Sequence, residues 1–190
     1  MKLYIFDFDD TLAQSNSNVV VNHSDGSTTQ LDSREFADYQ AKDGDILDFS
    51  QFTEASGTII WSVADIFRNA MQDPDCDTYI VTARGIGQPV KAFIEEELGL
   101  TGVRVAATNG SAGKIPWLEN QLANKAYTEV VIFEDCRNNL RNLGNVINEF
   151  NLKKRGIDAY IKVTKNCVLP DQNIQVIEKL RRTIRDIILS

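Results

Sequence analysis

The chain has 190 residues, with 27 acidic against 20 basic side chains and a net charge of −7. That balance argues against broad contact with nucleic-acid phosphates, which needs clustered Lys and Arg. One histidine and three scattered cysteines argue against a His-based metal cluster, a Ser-His-Asp triad, zinc-like spacing and a disulfide framework.

No apolar run is long enough to cross a bilayer, so no membrane contact is expected. Met1 and Lys2 lead straight into an apolar run, which leaves no room for a leader, and a cytoplasmic location is expected. The length suits a single domain over residues 1–190 with a small insert. Leu3, Tyr4, Ile5 and Phe6 read as a buried strand, and it ends abruptly in Asp7, Asp9, Asp10 and Thr11. Three carboxylates there repel one another and lose hydration. A cation with a preference for hard oxygen ligands, Mg²⁺, relieves both costs. Asp7 and Asp9 are two apart, so they can face one pocket, one as nucleophile toward phosphorus and the other as acid/base.

Residues 13–57 are polar and turn-rich and read as a flap or small cap. Within them, 18–21 and 28–32 are expected to pair across Asp25 and Gly26, and Ser33 to cap a short helix through Tyr39. Residues 42–52 read as a loop with aromatic anchors. His23 falls in a polar turn and is expected to be solvated.

Ile60, Val63, Ala64, Phe67, Ala70 and Met71 recur at helical spacing, and Pro74 ends that helix. Residues 77–82 form the next strand, closed by Thr82 and a turn through Ala83, Arg84 and Gly85. Pro89 fits the first turn of a helix that ends before Gly99. A strand over 102–108, a turn at Asn109 and Gly110, and a helix opened by Pro116 follow. The strand over 129–134 runs into Asp135. Leu140, Leu143, Val146, Ile147 and Phe150 mark a helix, 159–164 a fifth strand, and Ile174 to Ile187 a last helix.

Strands alternating with helices imply a parallel sheet of about five strands covered on both faces, a three-layer Rossmann-like α/β fold. Ligands of such sheets lie beyond the carboxyl ends of the strands. Asp7 and Asp9, Thr82 and Arg84, and Glu134 and Asp135 all fall at those ends. Trp61 and Trp117 read as core or flap anchors, Cys136 as a packed thiol. The basic groups at 153–155 and at Arg181, Arg182 and Arg185 read as solvated faces.

These residues together resemble the haloacid dehalogenase (HAD) superfamily of phosphohydrolases, in its minimally capped form. The Asp-x-Asp-x-Thr signature is matched by Asp7, Asp9 and Thr11, and the strand ending in Ser or Thr by Thr82. The lysine before the fourth strand is matched by Lys114, with Lys125 a poorer fit. The acidic pair after that strand is Glu134 and Asp135. It departs from the usual Asp-Asp or Gly-Asp, and Asn138 and Asn139 stand where a further Asp is common. The turn at Thr82 to Gly85 is loosely similar to polynucleotide end-repair phosphatases and phage-type members.

The resemblance implies a Mg²⁺-dependent phosphatase acting on a phosphomonoester through an aspartyl-phosphate. Asp7 is the implied nucleophile, Asp9 the acid/base, and Thr82 and Lys114 the groups that hold the phosphoryl oxygens. Thr11 and Arg84 are expected to bind substrate, and Asp7, Asp9 (through its main-chain carbonyl) and Asp135 to hold the metal. The implied substrate is a small phosphorylated molecule, a nucleotide or a phosphorylated nucleic-acid end. The rival readings are a phosphotransferase or phosphomutase, a response-regulator receiver, and a non-catalytic phosphate-binding module.

Overall fold

The computed structural model describes residues 1–149 and 158–163. In chain order, β1 (Lys2–Phe6) is followed by β2 (Ala13–Ser15), β3 (Val19–Asn22), β4 (Thr28–Leu31), α1 (Ser33–Asp38), β5 (Ile46–Asp48), a 3₁₀ turn (Ser50–Thr53) and β6 (Gly57–Ile59). Then come α2 (Trp61–Gln72), β7 (Cys76–Thr82), α3 (Gln88–Leu98), β8 (Val105–Ala107), a 3₁₀ turn (Ser111–Gly113), α4 (Lys114–Asn124), β9 (Glu129–Glu134), α5 (Arg137–Glu149) and β10 (Asp158–Val163).

The main sheet has the order β10-β9-β1-β7-β8, with every neighbouring pair parallel. β1 is central because it is apolar on both faces. Tyr4 and Phe6 join one core with Phe67 of α2 and Val90 and Ile94 of α3. Leu3 and Ile5 join a second core with Leu118 and Leu122 of α4 and Leu140, Leu143 and Ile147 of α5. Helices therefore cover both faces. Phe6 stacks on Phe133 with centroids 4.5 Å apart and meets Phe67 edge-on at 5.1 Å. Such pairs add about 0.5–1.5 kcal/mol each beyond their buried area.

The chain runs outward from β1 through β7 to β8, then returns to the other side of β1 as β9. This reversal opens a crevice at the carboxyl ends of β1 and β9, the favoured ligand position in open α/β sheets.

Residues 13–57 build small antiparallel sheets. β3 and β4 pair across the expected turn, Val19 opposite Leu31 and Asn22 opposite Thr28. β2 pairs with β6 and ties the two ends of the segment together. The stretch read as a loop contains β5, which pairs with the other edge of β3.

Several local readings are corrected. Asp32, not Ser33, caps α1: its carboxylate accepts from the Glu35 N–H, and Glu35 accepts from the Asp32 N–H, a reciprocal capping box. Ser33 instead donates to Asp10. His23 is not merely solvated: Nδ1 lies 2.8 Å from Asp45 and Nε2 2.9 Å from Thr29, so it staples the hairpin to the following loop. Trp61 is exposed, with the Arg68 guanidinium over its ring, whereas Trp117 packs edge-on against Tyr79. α4 begins two residues before Pro116. The helix over 174–187, both basic groups, Cys167, Phe150 and Thr164 lie outside the described residues. Among those described, no helix is long and apolar enough to cross a membrane.

Candidate active site

Asp7 follows β1 directly, and its N–H donates to the Phe133 carbonyl at 2.9 Å. That bond carries the β1–β9 ladder one step past the strand, which brings Asp7 beside Glu134. Lys114 reaches the same point from the start of α4. Its ammonium donates to Asp7 Oδ1 and to Glu134 Oε2, each at 2.7 Å. All three residues are buried. The close start of α4 depends on Gly113, where a Cβ would stand only 2.2 Å from the Thr108 carbonyl oxygen.

One ammonium faces an excess of carboxylate. Oxygens of Asp7, Glu134 and Asp135 all lie within 4.8 Å of one another. Burial first, then the charge of Glu134, pushes the Asp7 carboxyl up to about 8 although Lys114 pulls the other way. Burial, Asp7 and Asp10 push Asp135 up to about 7. Burial disfavours the Lys114 charge, yet Asp7 and Glu134 outweigh it and hold its pKa above the ordinary lysine value.

This donor set fits a hard divalent cation, since it is all oxygen and carries more negative charge than Lys114 balances. Lys114 meets Asp7 through Oδ1, and 10% of the Asp7 side chain remains exposed. Glu134 is more fully engaged. Oε2 takes the Lys114 bond, and Oε1 accepts from the Cys136 N–H at 3.3 Å and from Asn139 Nδ2 at 3.0 Å. Asn139 thus supports Glu134, and Asp7 and Asp135 are the better placed to hold a cation.

Asp9 turns its carboxylate to Arg84. Nε donates to Oδ2 at 3.0 Å and Nη2 to Oδ1 at 2.7 Å, and Ser15 Oγ donates to Oδ1 at 2.6 Å. Arg84 also donates from Nη1 to the Glu54 carbonyl at 2.7 Å and from Nη2 to Ser17 Oγ at 3.1 Å. Its guanidinium carbon lies 5.0 Å from the Phe8 ring centre and 4.9 Å from that of Phe52. Asp9 is still near enough to Asp7 to add to the upward push on its carboxyl.

The other expected site residues are inward-facing. Thr82 is wholly buried, and its Oγ1 accepts from the Arg84 N–H at 3.2 Å. Thr11 is wholly buried too, and its hydroxyl has no hydrogen-bond partner among the described residues. Asp10 adopts a left-handed backbone, φ 57°, where the chain leaves the site, and accepts from Ser33.

Sequence reasoning missed Ser15, Ser17, Phe52 and the Glu54 carbonyl, which bring residues 13–57 against Asp9 and Arg84. No local pattern marks them: Ser17, Phe52 and the Glu54 carbonyl meet Arg84 from far along the chain, and Ser15 meets Asp9 only because the chain turns back between them. A polar groove of about 360 Å³ opens over this contact, lined by Asn16, Ser17, Gln51, Thr53, Glu54 and Ser56. Comparison with models of known protein families, with curated proteins and with solved structures finds no match to this chain.

Proposed function

We propose that the protein is a Mg²⁺-dependent HAD-type phosphatase, small-capped by residues 13–57, that hydrolyses a phosphomonoester through a phosphorylated Asp7. The observation that carries this reading is the Asp7–Lys114–Glu134 assembly. Three separate elements converge at the sheet's reversal point, where Lys114 engages Asp7 through Oδ1 and Glu134 through Oε2.

In this reading, Asp7 Oδ2 attacks phosphorus as the ester P–O bond breaks. Asp9 gives its proton to the departing alkoxide, then takes one from the water that cleaves the Asp7–phosphate bond and releases inorganic phosphate. An ammonium has three N–H donors, and Lys114 spends two on Asp7 and Glu134, so one remains for a phosphoryl oxygen. Asp7 and Asp135 carboxylates and the Asp9 carbonyl would hold the cation. The chemistry a bound cation supplies is neutralisation of the repulsion between Asp7 and an anionic substrate. The Thr82 hydroxyl already accepts from Arg84 but keeps its hydrogen, so it can still donate.

The hydrogen-bonding side chains of the groove, uncharged apart from Glu54, suit a hydroxylated leaving group, in a small phosphorylated molecule, a nucleotide or a phosphorylated strand end. A cytoplasmic setting goes with this reading.

The test is phosphate release from a panel of nucleotides, sugar phosphates, 3′- and 5′-phosphorylated oligonucleotides and an aryl phosphate. Release should need Mg²⁺, stop with EDTA and be lost in Asp7→Asn. Equal release in all three conditions would overturn the proposal.

A further inference from the structure

We propose that Arg84 is a positioning residue for Asp9 and does not itself bind the substrate phosphate. This rests on the phosphatase reading above and changes the substrate-binding part that the sequence led one to expect of Arg84.

A guanidinium carries five N–H groups in a rigid plane. Four of them are used within the protein: two on the Asp9 carboxylate, one on the Glu54 carbonyl and one on Ser17 Oγ. Its carbon also sits over two aromatic rings, Phe8 just past the end of β1 and Phe52 in the 3₁₀ turn. Only 4% of the residue is exposed. A phosphate would have to displace Asp9 or pull the 50–54 segment away to reach it.

The same contacts are what a positioning device needs. The bidentate pair fixes the carboxylate in one plane. Ser15 adds a third bond to Oδ1 and so removes rotation about the remaining axis. Residues 15, 17, 52 and 54 all come from the 13–57 segment, so that segment and the sheet edge jointly set where Asp9 points. An acid/base displaced by about 1 Å loses roughly 10²-fold in rate.

A double-mutant cycle separates positioning from phosphate binding. The variants are Arg84→Met, Asp9→Asn and the pair, assayed on p-nitrophenyl phosphate, whose good leaving group keeps the Asp9→Asn rate measurable. Arg84→Met should lower kcat about 10²-fold with little change in KM or in inhibition by inorganic phosphate, and should cost almost nothing further in the Asp9→Asn background. Additive losses, or weakened phosphate inhibition, would overturn the proposal. Arg84→Lys, which keeps a cation in the buried site, serves as the second variant, in crystals alongside wild type. A lysine cannot make the bidentate pair, so the Asp9 carboxylate should leave its place beside Ser15, and an unmoved carboxylate would also overturn the proposal. If wild type releases no phosphate from any ester, the phosphatase reading falls, and the crystals alone decide whether Arg84 holds Asp9.

Discussion

Lys114 joins Asp7 across 107 positions of sequence at 2.7 Å, and the same ammonium holds Glu134. Replacing it strands two buried carboxylates. Breaking a buried pair from one side costs about 3–5 kcal/mol. Lys114→Met should therefore lower stability by about that amount in urea titrations. Lys114→Met/Glu134→Gln should recover part of it, because one stranded charge is gone. Neither variant should release phosphate. A single variant as stable as wild type would show that the ammonium is not the counter-charge of this crevice.

Asp7 carries the opposite sign of effect. Its carboxyl is raised from an ordinary value near 4 to about 8, by burial first and then by Glu134. A raised carboxyl binds its proton more tightly in the folded state, so its contribution is fully present below about pH 4 and is lost as pH rises through about 8. In the absence of divalent cations, Asp7→Asn should therefore be more stable than wild type at pH 8. Each 1 kcal/mol gained raises Tm by about 2–4 °C. Added Mg²⁺ should close the gap by stabilising wild type alone. Thermal melts at pH 5 and 8, with and without Mg²⁺, test this; a variant that melts lower throughout contradicts it.

The alternation of elements was legible because apolar periodicity is written locally. β1, β7 and β9 each show an apolar run closed by a polar residue, and those ends place Asp7, Thr82 and Glu134 on one edge. Lys114 was legible only through the family resemblance, which calls for a lysine at the start of the helix before the fourth strand. Arg84 was not, since the choice between a phosphate and Asp9 is made by a fold contact across 75 positions. Nor was His23, whose partner Asp45 becomes a neighbour only once β5 has paired with β3. The cap of α1 was misread for another reason. Asp32 and Ser33 are both good cap residues, and the tie is broken by Glu35, three residues after Asp32, together with the pull of Asp10 on Ser33.

Gly113 tests how far the site depends on close backbone approach. Its φ of −69° is ordinary, so strain is not the issue. Space is: a Cβ would meet the Thr108 carbonyl oxygen at 2.2 Å. Gly113→Ala must push the start of α4, and Lys114 with it, away from β8. The expected cost is about 1–3 kcal/mol, with a roughly 10²-fold fall in phosphate release. Gly99→Ala is the matched control. It has open space but a left-handed φ of 61° at the end of α3. It should lose about 1–2 kcal/mol with no loss of phosphate release. Equal activity in the two variants would separate Gly113 from the site.

Asp77 lies at the opposite end of the sheet, near the start of β7. Burial alone would raise its carboxyl, but hydrogen bonds from Lys125, Arg104 and Tyr127, at 2.6, 2.8 and 2.9 Å, prevail and hold it down at about 2. A lowered carboxyl stabilises the folded state above its unfolded value near 4, and the contribution disappears as pH falls from there to about 2. Both cationic heads are more than a third exposed, so solvent screening weakens their share. With the buried Tyr127 bond, the total is on the order of 1–2 kcal/mol. Asp77→Asn should therefore be less stable than wild type by that margin between pH 5 and 7. The gap should narrow steadily below pH 4 in urea titrations, while phosphate release stays unchanged because Asp77 is remote from Asp7. A gap that stays constant down to pH 2 would mean that the ionised carboxylate contributes nothing to this corner of the sheet.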